Sequence, residues 1–108
     1  MMDVQTRINQ QVTTNPVVLY MKGTPQCPQC GFSGAAIQML RACGGPSPFT
    51  VDVLADPDIR DGIKSYGNWP TIPQLYIKGE FVGGSDIMRE MFEQGELQKL
   101  LQAAEGSV

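Results

Sequence analysis

Two cysteines lie in one short segment whose surroundings favour thiol chemistry. Residues 27–33 are Cys-Pro-Gln-Cys-Gly-Phe-Ser, and after them Ile37 and Leu40 have the spacing of one helix face. A cysteine at a helix N-terminus lies beside backbone N–H groups without intrahelical partners and beside the positive end of the helix dipole, and both favour the thiolate. Because the thiolate is the nucleophile and the metal ligand, we predict that Cys30 is chemically active rather than a buried structural thiol.

The cysteine and histidine content limits the mechanism. The chain has three cysteines and no histidine, which excludes Ser-His and Cys-His nucleophiles and the usual nitrogen ligands of zinc. Three cysteines also cannot complete a four-ligand structural zinc site without a carboxylate. Whatever activates Cys30 must therefore be a helix end or a cation, and Lys22 is the nearest candidate cation in the sequence.

Composition narrows the class of protein. With 108 residues and a net charge of −3, the chain is expected to form a single domain over residues 1–108. It has no block of like charge, so we expect no nucleic-acid surface, and its apolar runs are too short to predict a membrane span. It lacks a signal-peptide pattern, and an odd, small number of cysteines suits a reducing compartment, so a cytoplasmic location is expected.

The first half of the chain predicts an alternation of helices and strands. An amphipathic helix is expected to end near Asn15-Pro16, and the apolar residues 17–21 indicate a fully buried strand. The helix after the cysteine segment should end at Cys43, because Gly44-Gly45-Pro46 is a stop signal. Residues 49–54 are predicted to form a second strand.

The second half predicts a helix, a hairpin and further helices. Asp56-Pro57 is a helix start, for a helix that reaches about Tyr66. Strands are expected at residues 73–78 and 80–82, with Gly79 between them. Residues 83–86 open a final helical region, which is expected to form two short helices with a break near Gly95. The first two strands should be parallel with a right-handed crossover, which gives an α/β fold with a mixed four-stranded sheet covered by helices on both faces.

Three blocks of the sequence together resemble a known family. They are Tyr-Met-Lys-Gly-Thr-Pro at residues 20–25 with Cys-Gly-Phe-Ser at 30–33, Asn-Trp-Pro-Thr-Ile-Pro-Gln-Leu at 68–75, and Gly-Gly-Ser-Asp at 83–86. At these spacings the chain resembles a single-domain monothiol glutaredoxin, a protein with a thioredoxin fold. The resemblance covers nearly the whole chain.

The resemblance implies a glutathione site. In it, Lys22 would pair with a glutathione carboxylate and Arg60 with the glycine carboxylate. The Ile72–Pro73 bond would be cis, and the backbone of Ile72 would pair with the tripeptide as an added strand would. Asp86 would accept from the γ-glutamyl ammonium group, although the same residue could simply be a helix N-cap. The implied site residues are Lys22, Arg60, Ile72, Pro73, Gly84, Ser85 and Asp86.

Cys27 departs from the pattern of the family. Monothiol members commonly have another residue there, so that a Cys-x-x-Cys overlaps the monothiol motif in this chain. Lys22, eight residues before Cys30, favours the monothiol register, and Ser33 then stands in the place of the resolving cysteine. A Cys27–Cys30 disulfide depends on the Cα separation and the Cβ directions, and it stays open. Cys43 should be a free thiol, because 13 helical residues place it about 18–20 Å from Cys30.

The favoured function is an iron–sulfur carrier. A 2Fe–2S cluster needs four thiolate ligands, and Cys30 is the only well-placed cysteine ligand that one chain supplies. In the family, two protomers each supply one cysteine, at the position of Cys30, and two glutathione molecules supply the other two thiolates. The resemblance therefore implies a homodimer bridged by the cluster. The dimer would transfer its cluster to iron–sulfur acceptor proteins and pair with BolA-like proteins. A less favoured variant uses Cys27 and Cys30 of both protomers, without glutathione.

The alternative function is an enzyme, a glutathione-dependent thiol–disulfide oxidoreductase. Cys30 would attack a glutathionyl mixed disulfide, and a second glutathione or Cys27 would release it. Ser33 cannot resolve a disulfide, so that a dithiol route would depend on Cys27. Colour and mass distinguish the two functions, since a carrier would be a brown dimer and the enzyme a colourless monomer.

Overall fold

The computed structural model describes residues 3–105, which form five helices and four strands. Their order matches the expected one, with two helices in the final helical region. The elements are α1 (Val4–Thr14), β1 (Val17–Met21), α2 (Gly31–Cys43), β2 (Phe49–Asp52), α3 (Pro57–Gly67), β3 (Gln74–Ile77), β4 (Glu80–Gly83), α4 (Ser85–Glu93) and α5 (Glu96–Glu105).

The four strands form one mixed sheet in the order β2-β1-β3-β4. Strand β1 runs parallel to β2, with Tyr20 opposite Val51, and antiparallel to β3, with Leu19 opposite Leu75. Strands β3 and β4 form the antiparallel hairpin. The expected parallel pair and C-terminal hairpin are therefore confirmed, and β1 occupies a central position.

Strand β1 has hydrophobic cores on both of its faces, and all five of its residues are buried. Because side chains alternate along a strand, Leu19 and Met21 point to one face and Val18 and Tyr20 to the other. The Leu19 face packs against α2, α4 and α5. The Tyr20 face packs against α1 and α3. Helices cover both faces, as the apolar run of β1 predicted.

Two strands are shorter than expected. Strand β2 ends at Asp52 rather than Leu54, because the Asp52 Oδ1 atom accepts from the N–H of Leu54 at 2.9 Å and turns the chain. Strand β3 excludes Pro73, which has no N–H to donate to the sheet. It also excludes Lys78, whose φ of 54° places it in the turn beside Gly79.

Both ends of α2 agree with the expectation. Cys30 is its N-cap, and Gly44 ends it in the left-handed conformation (φ 71°), with the Gly44 N–H donating to the carbonyl of Arg41. The break between α4 and α5 falls at Gln94 and Gly95. Within residues 3–105, no helix has the length and apolar content that crossing a bilayer requires.

Candidate functional site

The thiol of Cys30 faces the backbone N–H groups at the start of α2. The Ser33 N–H is the main cause that lowers the Cys30 pKa, and the Phe32 N–H adds to it. The positive charge of Lys22 lowers that pKa as well, by less than the Ser33 N–H does. Of the two expected activators, the helix end therefore contributes more than the cation.

Ser33 ties the end of β1 to the start of α2. Its side chain is fully buried, and its Oγ atom accepts from the backbone N–H of Lys22 at 3.0 Å. The same hydroxyl contributes to the lowered pKa of Cys30. Sequence reasoning assigned Ser33 only the place of an absent resolving cysteine. Its position three residues after the N-cap was the signal that it could reach the thiol.

A tight loop joins Lys22 to Cys30. Gly23 pairs with Pro28 in an isolated antiparallel bridge, and the Gln29 N–H donates to the Lys22 carbonyl at 2.9 Å. Gly23 has a φ of 89°, and a Cβ there would lie 2.5 Å from the Cys27 carbonyl oxygen. Only glycine allows this conformation and this approach of the two backbone segments. The loop thereby holds Lys22 beside the start of α2.

Cys27 lies in this loop, outside the helix, as predicted. Its side chain is exposed, and the Gln29 Nε2 atom donates to its Sγ atom at 3.2 Å. Cys27, Cys30 and Cys43 are all free thiols in this structure. Whether Cys27 and Cys30 can form a disulfide stays open.

Cys30 opens into a cleft of about 520 Å³ between α2, α3, the residues before β3 and the start of α4. The cleft brings together Cys30 and most of the residues expected around it. Those expected residues are Lys22, Arg60, Ile72, Pro73, Ser85 and Asp86. Sequence reasoning missed the other lining residues, which are Phe32, Lys64, Pro70 and Thr71.

Of the residues expected to bind glutathione, Gly84 is the one that does not line the cleft. It lies behind the wall, where a Cβ would be 3.0 Å from the Trp69 Nε1 atom and 3.4 Å from the Pro73 carbonyl oxygen. Gly84 therefore lets the start of α4 pack closely against the residues before β3.

The charges around the cleft are mostly positive. Lys64 joins Arg60 on the same face of α3, four residues later, and Lys22 is the third cation. Asp86 is the carboxylate among the lining residues. The N-cap of α4 is Gly84, so the alternative role of Asp86 as the N-cap is wrong. This arrangement can bind a ligand with two carboxylates and one ammonium group.

The peptide bond between Ile72 and Pro73 is cis, as the resemblance implied. Ile72 is buried, whereas Thr71 before it is exposed. The segment enters β3 directly, which fixes its backbone at the wall of the cleft.

Few side chains near the cleft could act as metal ligands. Within residues 3–105, no group of three or more His, Cys, Asp or Glu side chains could hold a metal ion. Cys30 is the cysteine that lines the cleft. A cluster with four thiolate ligands would therefore fit this chain only if most ligands came from outside it.

A second cavity of about 530 Å³ lies elsewhere, between the C-terminal half of α2 and β2. Ile37, Leu40 and three prolines form its apolar part, and Arg41 is its charged residue. It contains no cysteine or carboxylate, so its residues offer no thiol or acid–base chemistry.

The sequence profile of the glutaredoxin family matches residues 17–82. A monothiol glutaredoxin of Synechocystis sp., ycf64-like, is 57% identical over 102 residues, which cover 94% of each chain. The chain belongs to the glutaredoxin family. Its similarity to this relative identifies it as a monothiol glutaredoxin.

Solved structures confirm the thioredoxin fold. Reduced apo GrxS14 from poplar superposes with a TM-score of 0.80 at 46% identity, over 96% of this chain and 94% of that one. A buckwheat glutaredoxin solved in complex with glutathione superposes with a TM-score of 0.82 at 22% identity, over 97% and 92%. The second likeness shows the fold alone.

Proposed function

We propose that this monothiol glutaredoxin binds glutathione in the Cys30 cleft and carries a 2Fe–2S cluster between two protomers for transfer to other proteins. The observation that supports this most is the cleft itself, where one activated thiol lies among three cations and one carboxylate. A site that used only a thiol, or a site that bound only an anion, would not need all of these groups together.

Glutathione matches the cleft group by group. It has two carboxylates, one ammonium group and one thiol along an extended tripeptide. Lys22, Arg60 and Lys64 supply positive charge for the carboxylates, and Asp86 supplies an acceptor for the ammonium. The backbone of Ile72, at the entrance to β3, would pair with the tripeptide.

The proposed cargo follows from the count of thiolates. Cys30 is the lining cysteine of the cleft, so two protomers supply two ligands, and two bound glutathione molecules supply two more. Cys27 does not line the cleft, which disfavours the variant with four protein thiolates. A ligand set that includes an exchangeable small thiol suits release of the cluster to acceptors. BolA-like proteins and iron–sulfur acceptor proteins are the proposed partners, in the cytoplasm.

A second candidate function is thiol–disulfide exchange, which the lowered pKa of Cys30 favours. The Cys30 thiolate would attack the glutathione sulfur of a glutathionylated protein, and the substrate's thiolate would leave. A second glutathione thiolate would then attack the glutathione sulfur on Cys30, releasing oxidised glutathione and restoring the Cys30 thiolate. Neither step requires Ser33 or Cys27.

Anaerobic reconstitution tests the proposal. The protein receives iron and sulfide with and without reduced glutathione, and its absorption and its mass in solution are measured, with Cys43→Ser as a matched cysteine control. We expect a brown dimer only with glutathione, both for the wild type and for the control. A colourless monomer that reduces glutathionylated substrates would instead establish the second candidate and contradict the carrier function.

A further inference from the structure

Behind the wall of the cleft lies a fully buried amide that the proposed chemistry does not use. Gln74, the first residue of β3, has no exposed surface. A buried amide is costly unless its hydrogen bonds are made. Its Nε2 atom donates to the carbonyl of Trp69 at 3.0 Å and to that of Thr71 at 3.3 Å. Both amide hydrogens therefore hold the segment Trp69–Pro73 that leads into β3.

Tyr76 sets the orientation of this amide. Its hydroxyl donates to the Gln74 Oε1 atom at 3.0 Å, in a fully buried contact. Two carbonyls can only accept, so the amide nitrogen must face them and the oxygen must face Tyr76. Burial raises the pKa of Tyr76, which keeps its hydroxyl protonated and able to donate.

The end of α3 is packed against the same pair. A Cβ on Gly67 would lie 2.4 Å from the Tyr76 hydroxyl and 2.8 Å from the Gln74 Oε1 atom, so that glycine makes room for both. The Trp69 N–H donates to the Lys64 carbonyl at 3.0 Å. The segment 69–73 is thus fastened to the helix that carries two of the cations of the cleft.

The other side of the segment supports the start of α4. The indole nitrogen of Trp69 and the carbonyl of Pro73 both lie against Gly84, which precedes Ser85 and Asp86. A shift of the segment would therefore move the backbone of Ile72 and disturb the packing that holds Asp86. Two parts of the cleft wall depend on the position of this one segment.

We propose that Gln74 is a positioning residue for glutathione binding, although its side chain does not contact glutathione. Tyr76 orients the Gln74 amide. The Gln74 amide fixes the segment Trp69–Pro73 in its binding conformation before the ligand arrives, so that binding does not bear the cost of ordering it. This role rests on the proposed binding of glutathione in the Cys30 cleft.

Substitutions at Gln74 and Tyr76 separate positioning from general stability. Gln74→Met keeps an unbranched side chain of similar length but donates no hydrogen bond, and Tyr76→Phe removes only the hydroxyl. Tyr20→Phe is the matched control, because the Tyr20 hydroxyl donates to another glutamine oxygen, Gln11 Oε1, at 2.7 Å. Tyr20 and Tyr76 belong to the same hydrophobic cluster and contact each other edge to face.

Reduced glutathione is titrated into each reduced protein, and the amide NMR signals of Thr71 and Ile72 report binding. Thermal unfolding reports stability, and fluorescence of Trp69, the single tryptophan of the chain, reports the segment. We expect the dissociation constant to rise about tenfold in Gln74→Met and about threefold in Tyr76→Phe, with altered Trp69 emission. Tyr20→Phe should lower the melting temperature and leave both the affinity and the emission unchanged.

Two results would overturn the proposal in distinguishable ways. If Gln74→Met binds glutathione within twofold of the wild type and only melts earlier, Gln74 is merely structural while the proposed function stands. If the wild type itself does not bind glutathione, the proposed function fails and the positioning role fails with it. If Gln74→Met does not fold, Tyr76→Phe compared with Tyr20→Phe gives the same decision.

Discussion

The two ends of helix α2 each carry a cysteine, and the two thiols have opposite properties. Cys30, at the N-terminus, is partly exposed in the cleft, and the N–H groups of the first turn lower its pKa. Cys43, at the C-terminus, is 6% exposed, and burial raises its pKa. One helix therefore has an activated thiol at its start and a buried thiol, harder to ionise, at its end.

The difference has a simple electrostatic origin. The first turn of a helix presents unpaired N–H groups that stabilise a negative charge, and the last turn presents carbonyl oxygens that do not. Cys43 packs in the core with Leu40 and Leu101, where a charge would lose its hydration. Ser33 strengthens the contrast, because it adds a hydroxyl at the Cys30 end alone.

The largest expected effect comes from removing each thiol in turn. Cys30→Ser should abolish both cluster binding and exchange with glutathionylated substrates, because serine supplies neither a thiolate ligand nor a sulfur nucleophile. Cys43→Ser should retain both. Absorption of the reconstituted proteins and circular dichroism of the unloaded ones measure function and folding. A folded Cys30→Ser protein with a complete 2Fe–2S spectrum would show that Cys30 is not the cluster ligand that distinguishes the two ends of α2.

The pH dependence of alkylation gives a second test of the difference between Cys30 and Cys43. A lowered pKa means more thiolate at any given pH, so Cys30 should react with iodoacetamide at lower pH than an ordinary thiol. The raised pKa of Cys43 has the opposite sign, and burial also blocks the reagent, so that it should stay unmodified near pH 7. Peptide mapping by mass spectrometry follows each cysteine. In denaturant the two profiles should coincide, and a difference that survived there would mean that the fold is not its cause.

The sequence predicted the Cys30 end better than it predicted the rest of the cleft. The apolar spacing after Cys30 placed the helix start, since local periodicity decides that feature. The cis bond before Pro73 and the roles of Arg60 and Asp86 came from the family resemblance, because those residues meet Cys30 only through tertiary contacts. Lys64 and Thr71 were missed because single lysines and threonines carry no local signal.

The strands show the same division between local and tertiary causes. The continuous apolar run at residues 17–21 predicted β1 completely, and all five of its residues are buried. Strand β2 was predicted two residues too long, because Val53 and Leu54 continue the apolar pattern. The carboxylate of Asp52 ends the strand by accepting from the N–H groups of Gly23 and Leu54, and Gly23 is distant in sequence.

Cations of the Cys30 cleft and the cation near the Cys43 end of α2 should differ in a smaller way. Lys22→Ala or Arg60→Ala should raise the glutathione concentration that half-reconstitutes the cluster by about fivefold, as expected for one charge-assisted contact of about 1 kcal/mol at a solvated site. Arg41→Ala, near the Cys43 end and outside the cleft, is the matched control and should change nothing. An equal effect of all three substitutions would show that net charge, rather than a defined site, attracts glutathione.

The smallest effect on the cluster is expected from Cys27. Cys27→Ser should reconstitute as the wild type does, because Cys27 lies in the loop and does not line the cleft. It should, however, lose protection of Cys30 against overoxidation if the two thiols form a reversible disulfide in the unloaded protein. Peptide mapping after air oxidation measures this. A map that shows only glutathionylated Cys30 in the wild type would contradict the disulfide.

The central claim is that Cys30 and glutathione together complete the ligand set of a shared cluster. Native mass spectrometry of the reconstituted protein tests it most directly, because it counts every component of the intact assembly. The expected mass is that of two chains, one 2Fe–2S cluster and two glutathione molecules. Two chains with a cluster and no glutathione would contradict the claim and would favour ligation by Cys27 and Cys30 of both protomers.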